Sequence, residues 1–182
     1  MYEEGTPLYR LLERGEIEEI DEETSLQMFE TLVTRLTAAG YEHYEISNFA
    51  LDGFRSQHNS SYWRQVPYLG IGAAAHSYDG NERWWNVSDM RKWSTGSMPS
   101  AYIEGSETID ATTRYNDIIT TALRTREGVS LEALPEEQRT YLLEQAAPHL
   151  KAKKVAITGQ HLHLTHDGIY TSDDIMSDLI LV

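Results

Sequence analysis

Leu32-Val33-Thr34-Arg35-Leu36-Thr37-Ala38-Ala39-Gly40-Tyr41-Glu42-His43-Tyr44-Glu45-Ile46-Ser47-Asn48-Phe49 is the stretch that decides the fold. Its first half continues a pattern that begins near Asp21. Leu26, Phe29, Leu32, Val33 and Leu36 recur at three- and four-residue spacing, which predicts a helix over 21–39 with one buried stripe. Gly40 is placed to end that helix. The second half, Tyr41 to Phe49, is rich in aromatic and β-branched residues and predicts a strand. A helix that feeds a strand through one glycine is half of a β/α repeat, and the strand that should precede the helix is missing. The expected class is α/β (α+β).

Upstream, Thr6 to Gly15 predicts a short helix: Thr6 caps it, Pro7 suits its first turn and Gly15 provides the exit. The acidic stretch Glu16 to Glu23 is a solvated approach to the next helix. Downstream, residues 51–66 look irregular, and Tyr68 to Gly72 reads as a short strand. Asp79-Gly80-Asn81 turns a hairpin back through Trp84, Trp85 and Val87. Ser88 caps a helix near 89–93, and 96–105 is a polar connector. A domain boundary falls near Glu107, which gives domains of 1–106 and 107–182.

In the second domain, Thr112 to Arg126 is a helix with Tyr115, Ile118, Ile119, Ala122 and Leu123 inward, closed by Gly128. Leu131 to Leu134 and Pro135 to Leu150 add helix, with Pro148 spoiling the final turn. Val155 to Thr165 alternates as a hairpin, and Ser172 to Leu181 is a last helix carrying Ile175, Leu179 and Ile180. Helices, a hairpin and a final helix make a winged-helix-like module. DNA binding is the usual association of that shape, but fold does not confer function. Glu132, Glu136, Glu137 and Glu144 on its second helical stretch argue against it.

Composition narrows the classes further. The chain has 182 residues, 29 acidic against 15 basic, a net charge of −14 and no cysteine. Such a balance disfavours sequence-independent nucleic-acid binding and a polybasic anchor on anionic lipid. Without cysteine there can be no disulfide, zinc thiolate, cysteine nucleophile or iron–sulfur cluster held by this chain alone. No apolar run approaches the roughly 20 residues of a membrane span, and no basic-then-apolar leader opens the chain, so the expected location is the cytoplasm.

Chemistry-bearing residues concentrate between Ile46 and Asn86. His58 and Asn59 stand just ahead of Tyr62 and Trp63; imidazole can ligate haem iron or move a proton, and flat aromatic faces suit a macrocycle. The same four residues could instead satisfy backbone groups and fill a core. Gly70-Ile71-Gly72-Ala73-Ala74-Ala75 mimics a dinucleotide fingerprint, but Tyr78-Asp79-Gly80 breaks any following helix too early. What remains is that small residues let backbone come close to a ligand or to another strand, with His76 beside that approach. His161 and His163 project from one strand face near His166, yet no carboxylate or thiolate completes a metal site at a recognisable spacing. Nucleophile elbow, phosphate loop and zinc-protease signatures are absent from the sequence.

These residues carry a resemblance. Tyr44-Glu45-Ile46-Ser47-Asn48-Phe49-Ala50, then Ser56, His58-Asn59-Ser60-Ser61-Tyr62-Trp63, Tyr68-Leu69-Gly70-Ile71-Gly72 and Ala75-His76-Ser77-Tyr78 resemble the carboxy-terminal half of HemW-type haem chaperones. These are radical S-adenosylmethionine proteins related to oxygen-independent coproporphyrinogen III oxidase. The HNxxYW motif, His58 to Trp63, is the specific part and favours the chaperone branch. Tyr2 to Leu8 resembles a barrel segment of the family, and Arg114 to Val182 its carboxy-terminal domain.

The resemblance implies the closing part of an incomplete α/β barrel followed by the winged-helix-like domain, and it accounts for the orphan half-repeat. It also implies a four-iron–four-sulfur cluster and S-adenosylmethionine in the whole protein, held by a cysteine motif that this chain lacks. The chain is accordingly expected to be a fragment, inactive alone, whose partner is a missing amino-terminal radical half. Gly70, Gly72, Ala75 and His76 would border the cofactor pocket. His58, Asn59, Tyr62 and Trp63 would meet haem or porphyrin, with His58 a candidate iron ligand and no residue assigned a catalytic role. The implied function is binding haem and passing it to an acceptor protein. The alternatives are coproporphyrinogen III oxidation and a structural or docking fragment that self-associates through an exposed barrel edge.

Overall fold

Thr6 and Pro7 start the first helix as their chemistry dictates. In the computed structural model, which describes residues 2–96 and 99–182, helix α1 (Pro7–Glu13) begins where the Thr6 hydroxyl accepts the Tyr9 N–H at 3.2 Å. Helix α2 (Glu22–Ala38) is capped by Asp21, which accepts the Thr24 N–H at 2.8 Å and its hydroxyl at 2.8 Å. Gly40 takes the exit at φ +89°. Both helices belong to the first of two compact units, Met1–Glu42 and His43–Val182.

The expected buried stripe of α2 is a correction. No residue of α2 is buried: Leu26 and Leu32 are 42% and 47% exposed, while Phe29, Val33 and Leu36 are half-buried. An apolar stripe is covered only by a facing layer, and among its described residues this unit has no sheet of its own to supply one.

The second unit opens with a further correction. The strand expected over 41–49 is broken at Ile46-Ser47 into β1 (Glu42–Glu45) and β2 (Asn48–Ala50), which form a two-stranded sheet. The Glu45 carboxylate causes the break: it accepts the Ser47 N–H at 2.9 Å and the Asn48 side-chain amide, so the chain folds back on it. In chain order the anticipated half-repeat is present, since α2 feeds β1 through Gly40. The two larger sheets are antiparallel throughout, and no closed barrel is present among the described residues.

Helix α3 (Gln57–Trp63) follows, then a three-stranded sheet of β3 (His76–Tyr78), β4 (Glu82–Asn86) and β5 (Ile103–Thr108), with α4 (Met90–Thr95) and α5 (Pro99–Tyr102) between β4 and β5. The β3–β4 turn is the predicted one at 79–81. Three expectations fail here. Tyr68 to Gly72 makes only one bridge, Tyr68 to Tyr78, and leaves Leu69 and Ile71 72% and 80% exposed. Asp89, rather than Ser88, caps α4 by accepting the Arg91 and Lys92 N–H groups at 2.8 and 3.0 Å. The connector 96–105 contains α5 and the start of β5, because Gly105 lets that strand lie against the Trp85 ring. Ser97 and Met98 of that connector lie outside the described residues.

The rest of the unit surrounds the main core. Helix α6 (Ala111–Ala122), β6 (Val129–Ser130), α7 (Glu136–Lys151), β7 (Val155–Thr158), β8 (His161–Leu164), α8 (His166–Ile169) and α9 (Ser172–Leu179) follow in order, and the sheet runs β6-β8-β7. Tyr115, Ile119, Leu142, Leu162, Ile175 and Leu179 are closed off from solvent, and burial of each such side chain stabilises by about 1.5–3 kcal/mol. The Tyr115 hydroxyl donates to the Leu179 carbonyl at 2.9 Å, and Asn116 exchanges two 2.8 Å bonds with Leu181, so the chain end is sewn to α6.

Gly128, at φ +73°, is required where β6 meets β8: a Cβ there would stand 2.2 Å from the Leu162 carbonyl. Leu131 to Leu134 do not form the expected helix but cross as a bend, with Leu131 and Leu134 plugging the core. Pro148 does not spoil α7, which runs on to Lys151. Its missing N–H costs one bond near the end, while its carbonyl still accepts the Ala152 N–H at 2.9 Å. No helix among the described residues is long and apolar enough to cross a membrane.

Candidate functional site

His58, Asn59, Tyr62 and Trp63 lie on α3, a regular helix in a stretch whose polar, low-propensity residues look irregular in sequence. Ser56 starts it: its hydroxyl accepts the Asn59 N–H at 3.2 Å, and its own N–H donates to the Tyr44 hydroxyl at 3.3 Å. Helical spacing then divides the motif. Positions 58 and 62 share one face, while 59 and 63 share the next.

On the first face the exposed His58 ring meets Tyr62, with Nε2 3.2 Å from the phenolic oxygen and the rings edge-on at 5.0 Å. Tyr62 is edge-on to Tyr68 at 4.8 Å, Tyr68 lies 6.1 Å from Tyr78, and the Arg83 guanidinium sits 6.0 Å over Tyr78. Tyr68 and Tyr78 also exchange backbone bonds at 2.8 and 2.9 Å. An aromatic ladder thus joins HNxxYW to the strand that carries His76. Burial pushes the Tyr68 phenol up, against the pull of the Arg83 charge, so it stays protonated at neutral pH. Arg83 is itself held by Asp117 at 2.6 Å and Glu107 at 2.7 Å.

On the second face Trp63 lies under the Arg124 guanidinium at 5.3 Å. Arg124 in turn binds the fully buried Glu45 side chain, through Nε at 2.9 Å and Nη2 at 2.8 Å. The β1 edge pairs with the chain after α6: the Ile46 N–H donates to Arg124 O, and the Arg126 N–H to Tyr44 O, both at 3.0 Å. A cleft of about 250 Å³ opens beside Trp63, with Tyr44, Arg55, Ser60, Arg64 and Glu127 on its walls. The Trp63 indole N–H is buried with no hydrogen-bond partner.

In the glycine-rich segment the close approach is to another part of the chain. A Cβ on Gly70 would stand 2.0 Å from the His76 carbonyl, so what comes close to Gly70 is the backbone of β3. The Gly72 carbonyl accepts from the Asn86 side-chain amide at 2.8 Å, and the Ala75 carbonyl accepts the Asn86 N–H at 3.0 Å. His76 is exposed and stacks on Trp85 at 5.8 Å. The structure joins His58 to Tyr62 and places Gly70 against His76, but no hydrogen bond or ring contact links His58 to His76 among the described residues. His163 bonds Thr158 at 2.9 Å, and no cluster of three or more His, Asp or Glu side chains suited to a metal occurs among the described residues.

Arg55, Arg64 and Arg124 are the residues that sequence reasoning missed. Arg124 stands 79 positions from Glu45 and follows no local pattern, whereas Arg55 and Arg64 flank the motif and could have been noticed as two cations beside it in an acidic chain.

No family model matches the chain. Its fold matches a solved structure described as coproporphyrinogen III oxidase (HemN) from Escherichia coli, a radical SAM enzyme. The TM-score is 0.65 over 88% of this chain and 42% of that one, at 14% identity, so the chain is a mixed α/β protein of that fold class. By sequence, the protein named heme chaperone HemW of Mycobacterium tuberculosis is 31% identical over 182 residues, 98% of this chain and 45% of that protein. Its namesake in Lactococcus lactis subsp. lactis is 28% identical over 190 residues, 98% of this chain and 48% of that protein. Over 98% of its length the chain is thus similar to proteins named heme chaperone HemW. It spans just under half the length of these relatives.

Proposed function

We propose that this chain contributes haem-binding surface to a HemW-type chaperone, with His58 as the iron ligand and Tyr62 and Trp63 as flanking walls. The observation that carries the reading is the His58–Tyr62 pair. When Nε2–H donates to the phenolic oxygen, the Nδ1 lone pair of an exposed ring is left available to iron. Asn59 serves the helix through its backbone. Gly70, Gly72, Ala75 and His76 form the bordering segment, tied to the ladder through Tyr68 and Tyr78. A ligand held by an exposed imidazole can be handed to an acceptor protein, which is the second half of the reading.

Residues 107–182 serve as scaffold. The β6-β8-β7 sheet with α6, α7 and α9 supports the winged-helix-like description. The chain has no cysteine, so its residues do not fit a four-iron–four-sulfur cluster, and nothing assigned to them involves that cluster or S-adenosylmethionine.

Titration of the chain with haem, followed at the Soret band, tests the proposal. Saturable one-to-one binding is expected, weakened at least about tenfold with an altered spectrum in His58→Ala, a loss of about 1.4 kcal/mol. Tyr62→Phe should keep binding but weaken it, because the ring nitrogen loses its partner. Unchanged affinity and spectrum in His58→Ala would overturn the assignment.

A further inference from the structure

We propose that Arg55 and Arg64, with Ser60 between them, form a carboxylate-binding site in the cleft beside Trp63, and that its occupant is the acid side chains of the tetrapyrrole. The second clause rests on the haem reading above; the first stands on the cleft alone.

The chain is strongly acidic, at −14 with only 15 basic residues, yet two guanidinium groups line one small opening. The 250 Å³ cleft and a neighbouring groove of about 400 Å³ share Arg55, Ser60 and Arg64, so these three residues stand where the two meet. Arg55 is held in place: its Nη1 bonds Glu127 at 2.7 Å, and its guanidinium lies 5.3 Å over the Tyr44 ring. Arg64 closes α3 through its backbone, and its guanidinium has no acidic partner among the described residues. Trp63 lines the same cleft, and its indole N–H is buried without an acceptor.

Guanidinium and indole N–H groups are donors only, and the one carboxylate on the walls, Glu127, is already bound to Arg55. A surplus of donors with one free guanidinium is complementary to a ligand that only accepts. Carboxylate fits best, because the guanidinium fork binds it through two parallel bonds. Positions 57, 60, 61 and 64 share a helix face next to the one bearing 58 and 62. His58 and Arg64 are separated by about 9 Å of helix rise, within the reach of one planar ligand with acid arms.

Two titrations test this. Haem and its dimethyl ester, in which both acid arms are esterified, are titrated into the wild-type chain, Arg64→Ala and Arg64→Lys, with thermal melts confirming that each variant is folded. The wild type should bind haem at least about tenfold tighter than the ester. Arg64→Ala should lose that preference by weakening haem alone, and Arg64→Lys should recover part of it. Separately, glutarate is titrated while the Trp63 indole N–H resonance, assigned with Trp63→Phe, is followed by NMR. A saturating shift that disappears in Arg64→Ala is expected.

Equal binding of haem and ester, with no glutarate shift, overturns the carboxylate site and leaves the haem reading standing. A glutarate shift with no haem binding confirms the site and overturns the tetrapyrrole occupant. A haem preference that survives Arg64→Ala overturns the role of Arg64.

Discussion

Glu45 and Arg124 stand 79 positions apart in the chain and form a two-bonded ion pair at 2.9 and 2.8 Å around a carboxylate with no solvent exposure. The same carboxylate accepts from Ser47 and Asn48, and the same guanidinium covers Trp63. One buried charge therefore turns the β1–β2 hairpin, docks it on the end of α6 and positions the Trp63 side of α3.

Removing one member of that pair strands the other. Arg124→Ala should destabilise the fold by about 3 kcal/mol, the low end for a broken buried pair because a third of the arginine side chain reaches solvent. Glu45→Gln keeps an acceptor without the charge and should cost less. Urea unfolding measures both, and a loss below about 1 kcal/mol in Arg124→Ala would contradict the network's importance.

Gly70→Ala places a methyl group 2.0 Å from the His76 carbonyl. The backbone must move, at a cost of about 1–3 kcal/mol, and the Tyr62–Tyr68–Tyr78 ladder should move with it. Near-ultraviolet circular dichroism should change together with the melting temperature. If stability falls while the aromatic signal stays the same, the ladder is not anchored by this approach.

Tyr115→Phe leaves the Leu179 carbonyl without its donor and should cost about 1–2 kcal/mol. Burial pushes the Tyr115 phenol above its ordinary value near 10, with Tyr141 adding to the shift, so the folded chain holds the proton more tightly than the unfolded chain does. That contribution to stability is complete below pH 10 and is lost as pH rises through the folded value. Wild type should thus lose stability more steeply than Tyr115→Phe above pH 10; identical slopes would refute the linkage.

On the acid side, hydrogen bonds from Thr113 hold the Asp110 carboxyl below its ordinary value of 3.8, as those from Thr24 do for Asp21. The folded chain binds these protons less readily than the unfolded one, so the stabilisation is present above that value and is lost as pH falls through the depressed one. Asp110→Asn retains a neutral cap for α6 and should flatten the stability profile below pH 4, measured by chemical unfolding at several pH values. A profile that keeps the wild-type slope would assign the acid loss to other groups.

Local chemistry made much of the fold legible: the Thr6 cap and Pro7, the Asp21-to-Gly40 helix, the 79–81 turn, the Tyr115–Ile119–Leu123 face and the 155–165 hairpin all follow from nearest neighbours. The resemblance to HemW-type proteins, too, was readable from motif residues between Tyr44 and Tyr78. What could not be read depended on partners far along the chain. A carboxylate at 45 breaks a strand because Ser47 and Asn48 turn onto it and Arg124 neutralises it, and no window of sequence contains all four. HNxxYW looks irregular because its own helix propensity is weak, yet Ser56, Tyr44 and the aromatic ladder hold it as a helix.

Sequence alone therefore determined the likeness to HemW-type proteins, the absence of any thiolate ligand and the caps and turns, since those depend on residue type and short spacing. Tertiary structure alone decided that Gly70 meets backbone, that α2 keeps its stripe uncovered, and that Arg55 and Arg64 share a cleft with Trp63. Burial, long-range ion pairing and cavity shape are properties of where chain segments meet, and residue order does not encode them locally.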